Sequence, residues 1–387
     1  MMILKIQDFT HPFLPILMNI CFLTKNITQM TIKFRLFCLK LSLNLLCFYF
    51  LGCSSSNEKG ITSFDIPKEV QPNFPLSEIA ESVEYVSLET SEESFLSLIQ
   101  DVKFYKDKIY VVNFPGKILV FDRSGKFLHQ IGNEGEGPGE FFNLSSFVID
   151  EKSERLYLAS GGRLITYTLD NEYIVEKSFP FFIDYVEIID NQLVVIAGQD
   201  GKKVGSKFVN QRSLFKVSPE LDFVDSISLL HIEMNKQTGA TFPYKNYISK
   251  VDGDNFIYTP VLTNESVIRD TLFKIDNTSL IPVIKLNFAS PLFNKDGNKL
   301  IIIKNFFISK NFILCEYNRE GSSAFYIGSR DADFSINLDK GILIENEENV
   351  VLRPLDLEND QFYFIKTYSF SNTSTEEVNP MIGIVKL

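Results

Sequence analysis

Few residues in this 387-residue chain have the types and spacing needed for chemistry. Beyond residue 52 the histidines are His129 and His231, and neither has a second ligand or base at a zinc-site or triad spacing. His129 falls in the alternating stretch Phe127-Leu-His-Gln-Ile131, which places it on a strand, satisfied or facing solvent. Cys315 lies in Phe312-Ile-Leu-Cys-Glu-Tyr317, an apolar strand pattern that predicts a buried, inert thiol. The acidic turns at Asp252, Asp254, Asp296-Gly297-Asn298, Asp331 and Asp333 could offer oxygens to calcium, but none matches the twelve-residue calcium loop. Turn chemistry accounts for them, because Asp and Asn bond their own backbone. No catalytic residue is assigned on this basis. Metal and ligand-binding residues stay unassigned, and calcium is the one cofactor left open.

Gly132, Gly135, Gly137 and Gly139 could suggest a phosphate cradle. No Gly-Lys-Ser/Thr follows, and Glu134, Glu136 and Glu140 would repel an anion. A linker between two sheets fits better: Gly permits positive φ, Pro138 stops strand extension, and Phe141 and Phe142 pin the loop to the core. The Phe-rich stretches Phe179 to Phe182 and Lys304 to Ile308 are expected as core packing rather than sugar platforms. Tyr244 and Tyr247, in a long insertion, are where a carbohydrate contact would be sought.

These residues must be positioned by strands. The chain has 45% hydrophobic residues, 36 Phe and 15 Tyr with no Trp, enough for a large core and biased towards pleated surfaces. The first fifty residues differ from the rest, with three of the five cysteines and five basic residues against one acidic. Residues 1–52 are therefore read as a signal region. Met30-Thr-Ile-Lys-Phe-Arg35 makes a better start than Met1. Lys33, Arg35 and Lys40 precede the apolar run Leu41 to Leu51, which meets Gly52-Cys53-Ser54. That order resembles a bacterial lipobox, with cleavage before Cys53 and lipidation of its thiol. The run is too short for a spanning helix, which takes ~20 apolar residues. Beyond residue 52 remain 33 basic and 48 acidic residues, a formal charge of −15, which argues against a nucleic-acid partner.

Residues 53–78, with Pro67, Pro72 and Pro75, read as a flexible tether, and residues 79–387 as the folded part. Within it a unit of about four strands recurs, marked by apolar-aromatic pairs at Ile109-Tyr110, Leu156-Tyr157, Leu193-Val194, Ile257-Tyr258, Ile313-Leu314 and Phe362-Tyr363. The pairs are 47, 37, 64, 56 and 49 residues apart. A four-stranded propeller blade takes ~40–50 residues, so the longer steps predict loop insertions. The expected fold is all-β, a six-bladed propeller of four-stranded antiparallel blades. Too little chain follows Val350 for four strands, so Val83 to Leu88 from the N-terminus is expected to close the last blade. A two-domain β protein is the alternative.

Ile131 to Phe141, the lipobox, Val83 to Thr90 and Asn379 to Leu387 together resemble the six-bladed β-propeller lipoproteins of Gram-negative gut anaerobes, which are similar to NHL-repeat propellers. The likeness spans about residues 53–387, and its loop signature is absent from the third to fifth units. It implies a fold and an address in the cell envelope, lipid-anchored to a membrane, with the outer membrane and its periplasmic or surface face favoured. It implies no chemistry. The expected role is an interaction module for a glycan, peptide or partner protein, joined to the membrane through its lipid. The competing reading is a calcium-assisted hydrolase or lactonase acting in the central channel, which predicts carboxylates converging on one ion.

Overall fold

The computed structural model describes residues 60–387 apart from 115, 264–267, 290, 346–347 and 368–377. Cys53, the lipobox and the signal region lie outside the described residues. Gly60–Leu387 forms a unit of its own. Its regular structure is strand, with two short 3-10 turns at Leu76–Glu78 and Leu357–Asn359.

Hairpin after hairpin, the chain lays down antiparallel sheets in order. The first sheet runs Ile99–Tyr105, Lys108–Asn113, Lys117–Asp122 and Phe127–Ile131. The second spans Leu144 to Ser178, the third Phe182 to Met234, and the fifth Ile301 to Asp339, each four-stranded. In the fourth, four strands between Ile248 and Phe288 are joined by a fifth, Thr62–Ile66. The last sheet takes Arg353–Asp356, Gln361–Lys366 and Met381–Lys386 and is completed by Ser82–Ser87. A two-stranded ladder, Ile342–Leu343 with Asn349–Val350, lies between the fifth and last sheets. The expectation of six uniform blades is thus met in part: among the described residues there are seven sheets, one of five strands and one of two. All six apolar-aromatic pairs fall on or at the end of the second strand of a sheet.

Alternation along the strands explains how these sheets pack. In the first sheet Ile109 and Val111 point into a cluster with Val86, Tyr363 and Ile382 of the last sheet. Tyr110 and Val112, between them in sequence, point into the opposite cluster with Phe147, Leu156 and Tyr167 of the second. A strand buried on both faces must read as a continuous apolar run, as Ile109 to Val112 does. Further clusters join second to third, third to fourth, and fourth through fifth to last. The succession returns to its start, which is the closed ring of a β-propeller. The first strands of the first, second, third, fourth and last sheets line the central channel.

Two expectations need correction. From Thr62 onward, the segment read as tether belongs to the fold: Thr62–Ile66 pairs in parallel with Ile284–Phe288, and Gln71 and Pro75 form bridges to Leu338 and Leu343. Phe64, Ile66 and Leu76 are buried. The prolines that suggested a linker sit on outer edges, where a missing N–H costs no ladder bond. The long third step, expected as loop, comes largely from strands of 13, 11 and 12 residues in the third sheet, followed by a loop from residue 235 to 247.

Candidate functional site

A cavity of about 750 Å³ opens on the face carrying the turns between first and second strands. Its walls come from the first strands of the first, second, third, fourth and last sheets, through Lys103, Ile149, Glu187, Lys250 and Leu355 among others. The volume is typical of a small-molecule cleft, ~300–1,000 Å³.

The inner wall is built from ion pairs. Lys103 Nζ lies 3.8 Å from Asp101, and Lys250 Nζ lies 2.7 Å from Glu187. Tyr185 donates to Glu187 at 3.3 Å, and Tyr363 to Asp101 at 3.4 Å. Burial works to raise the Glu187 pKa, but Lys250 and Lys103 overcome it and hold the carboxyl below its usual range. Burial likewise opposes the Lys103 ammonium, yet Asp101 and Glu187 outweigh it and its pKa is raised. Asp101 goes the other way: burial raises it more than Lys103 lowers it. The two members of that pair therefore disagree in sense. Geometry resolves it, because Lys103 is shared with Glu187 and its contact to Asp101 is long.

Around the rim stand Glu151, Asp190, Asp254, Asp356 and Glu358, with Arg123 packed 4.8 Å over the Phe104 ring. The lining holds seven carboxylates against Lys103, Arg123 and Lys250. Lys274, just outside, binds Asp254 at 2.7 Å. Asp190, Asp356 and Glu358 accept from the neutral donors Asn255, Asn359 and the Asp252 N–H.

The opposite end of the channel is crossed by the loop preceding Tyr247. Lys245 Nζ binds Asp184 on the third sheet at 2.6 Å. Asn305 on the fifth sheet accepts from the Asn246 N–H at 3.0 Å and donates to the Tyr244 carbonyl at 2.8 Å. Arg353 of the last sheet stacks 4.7 Å from the Tyr244 ring centre, and Lys304 lies 5.0 Å over Phe242. Beneath the loop Arg353 pairs with buried Glu316 at 2.6 Å. Burial lowers the Lys304 pKa, Glu316 opposing and Arg353 adding to it. The channel is thus a funnel, open at one face and floored by its own loop. Tyr247 is buried and donates to Asp184 at 2.9 Å, while Tyr244 is half-buried with Arg353 over its ring.

The other sequence candidates have structural roles. His231 is exposed on the third sheet, whereas His129 packs towards the second with its Nε2 buried and lacking a partner. The Cys315 thiol is fully buried and pushed well above its ordinary pKa, chiefly by burial. Asp252 pairs with Arg330 and Asp254 with Lys274, while Asp331 accepts from the Asp333 N–H. Phe306 and Phe307 are core, and Phe179 stacks on Phe223 at 4.3 Å. The glycine-rich loop is a linker, as expected, and buried Phe141 pins it to the core; Phe142, expected to do the same, is exposed. Arg163 donates to the carbonyls of Glu140 and Gly137, Tyr167 to that of Gly139, and Glu176 accepts from the Gly139 N–H at 2.9 Å. Among the described residues no three His, Cys, Asp or Glu side chains converge as metal ligands. The inner channel carboxylates are matched to Lys or Arg instead, a donor set that does not fit calcium.

Missing from the sequence reading were the channel charges themselves. Their signal is one or two charges inside a mostly apolar first strand: Asp101 and Lys103, Asp184 and Glu187, Lys250, Lys304, Arg353.

The profile of a domain of unknown function, DUF4934, matches residues 61–386. The chain belongs to this family. That match begins where the Thr62–Ile66 strand does, so the DUF4934 domain includes the N-terminal segment. No curated protein sequence matches the chain. The fold is similar to a Bacteroides fragilis NCTC 9343 protein, named as expected to be exported, at TM-score 0.61 and 17% identity, covering 84% of this chain and 99% of that one. Looser likenesses are to the Neurospora crassa Pan2 WD40 domain (TM-score 0.40, 8% identity, 74% of each chain) and to BamB from Moraxella catarrhalis (TM-score 0.35, 10% identity, 74% and 71%).

Proposed function

We propose that this protein is a binding module of the cell envelope, a six-bladed propeller held to a membrane by a lipid on Cys53, with its ligand seated in the funnel. The single observation that carries the reading is the funnel itself. It gathers side chains from five sheets around a cleft of small-molecule size, and its inner-wall charges are already paired. A guest would meet fixed dipoles and hydrogen-bond partners rather than an activated nucleophile or base. The two-stranded ladder serves as connector between the fifth and last blades. The structurally similar B. fragilis protein, named as expected to be exported, supports the envelope address.

Screening glycans and peptides against the protein and its Gln361→Trp variant tests the reading, since Gln361 lines the funnel and a larger ring would narrow it. A ligand retained by the parent and lost by the variant is expected. Turnover of any ligand, abolished by replacing one funnel carboxylate, would instead establish an enzyme. The anchor is tested separately: Cys53→Ser should release the protein from the membrane fraction and abolish incorporation of labelled fatty acid.

A further inference from the structure

We infer that the funnel takes a flexible chain bearing primary ammonium groups. This rests on the binding reading above and names the class of guest. The argument starts from the charge count. Of the seven funnel carboxylates, Asp101, Glu187 and Asp254 are matched by Lys103, Lys250 and Lys274, and Arg123 offsets one more, leaving a surplus of three negative charges around the wall. Those surplus charges stand at the funnel mouth, with Glu151, Asp190 and Glu358 exposed and Asp356 half-buried, where together they draw in a counter-ion. They are also spread around the rim rather than gathered, as Glu151 belongs to the second sheet's first turn, Asp190 to the third's, and Asp356 and Glu358 to the end of the last sheet's first strand and the turn after it. A compact divalent ion cannot bridge such separated groups, whereas ammonium groups spaced along one chain can reach them singly.

Aromatic groups on the same wall already receive cations. Arg123 lies 4.8 Å from the Phe104 ring centre and Lys106 5.1 Å from that of Tyr105, and both rings line the funnel. The volume of about 750 Å³ admits a linear polyamine or a few lysine side chains of a peptide, and excludes a folded partner. With the far end closed by the loop through Lys245, the guest enters and leaves by one mouth, so the bound chain would not thread through.

Isothermal titration of the full chain with spermine and with tetralysine, at low ionic strength, is the test. Binding of at least one is expected. The triple variant Glu151→Gln, Asp356→Asn, Glu358→Gln should weaken it by roughly tenfold. Each replacement keeps an oxygen acceptor, so local turns survive. A control triple on distant strands and loops, Glu92→Gln, Glu93→Gln, Glu233→Gln, should bind as the parent does. Tighter binding of spermine would identify a free polyamine, and tighter binding of tetralysine a lysine-bearing segment. Equal affinity of parent and funnel variant, or no binding of either probe, overturns the inference. If a neutral glycan then binds and Gln361→Trp removes it, only the guest's class was wrong; if nothing binds the funnel, the module reading falls as well.

Discussion

Asp184 and Glu187 lie three residues apart on one inner strand, and both are held below the usual carboxylate range: burial works against them, but Lys245 with Arg212, and Lys250 with Lys103, prevail. A folded-state pKa below the unfolded one contributes stability that is full above the unfolded value and is lost as pH falls through the folded value. Acid should therefore unfold the protein through these groups, and Asp184→Asn should flatten the acid limb of a stability–pH curve while lowering stability at neutral pH. Asp101 has the opposite sign, since burial raises its pKa and its ionisation costs stability as pH rises. Asp101→Asn should be neutral or stabilising at pH 7 by denaturant titration; a loss as large as that of Asp184→Asn would refute this assignment. Glu316 shows the cost of leaving a buried charge alone. Glu316→Ala strands Arg353 and Lys304 beneath the channel loop and should cost ~3–5 kcal/mol.

Segments that carry no chemistry hold the ring together. In the glycine-rich linker, Gly139 has φ +77°, and a Cβ there would stand 2.8 Å from the Tyr173 ring. Gly139→Ala should destabilise by ~1–3 kcal/mol, read from the denaturation midpoint. At the closure, Asn379 accepts from the Leu96 N–H at 2.8 Å and donates to the carbonyls of Glu89 at 2.7 Å and Ser94 at 2.8 Å, tying the two chain ends together. Asn379 was legible as part of a terminal motif, but its partners lie 283 or more residues away. The repeat pairs, by contrast, were legible locally, because a doubly buried second strand must be apolar over four residues whatever surrounds it.

For the molecule as a whole, the segment from Gly60 to Glu78 is a strap across outer edges: it pairs with the fourth sheet, bridges to the fifth and to the ladder, and leads into the closing strand of the last. Burial of Phe64, Ile66 and Leu76 contributes at ~1.5–3 kcal/mol each, an upper bound comparable with a domain's whole margin of ~5–15 kcal/mol. A chain begun at residue 79 should melt many degrees lower or aggregate through the bared edge of Ser279–Phe288, compared with one begun at Gly60. Matching melting temperatures for the two would show that the strap is dispensable.

By itself the sequence determined the all-β class, the recurring four-strand unit, the second strands, the N-terminal closing strand and the linker role of Gly132 to Gly139. Each follows from local rules: side-chain period, turn chemistry and apolar run length. Only the tertiary structure decided that Thr62–Ile66 is a fifth strand, that the loop before Tyr247 floors the channel, and that Asp101, Lys103, Glu187 and Lys250 share a funnel. The reason is physical. Those side chains sit on three strands up to 149 residues apart in sequence, and what each charge means depends on the charge the ring's closure sets beside it.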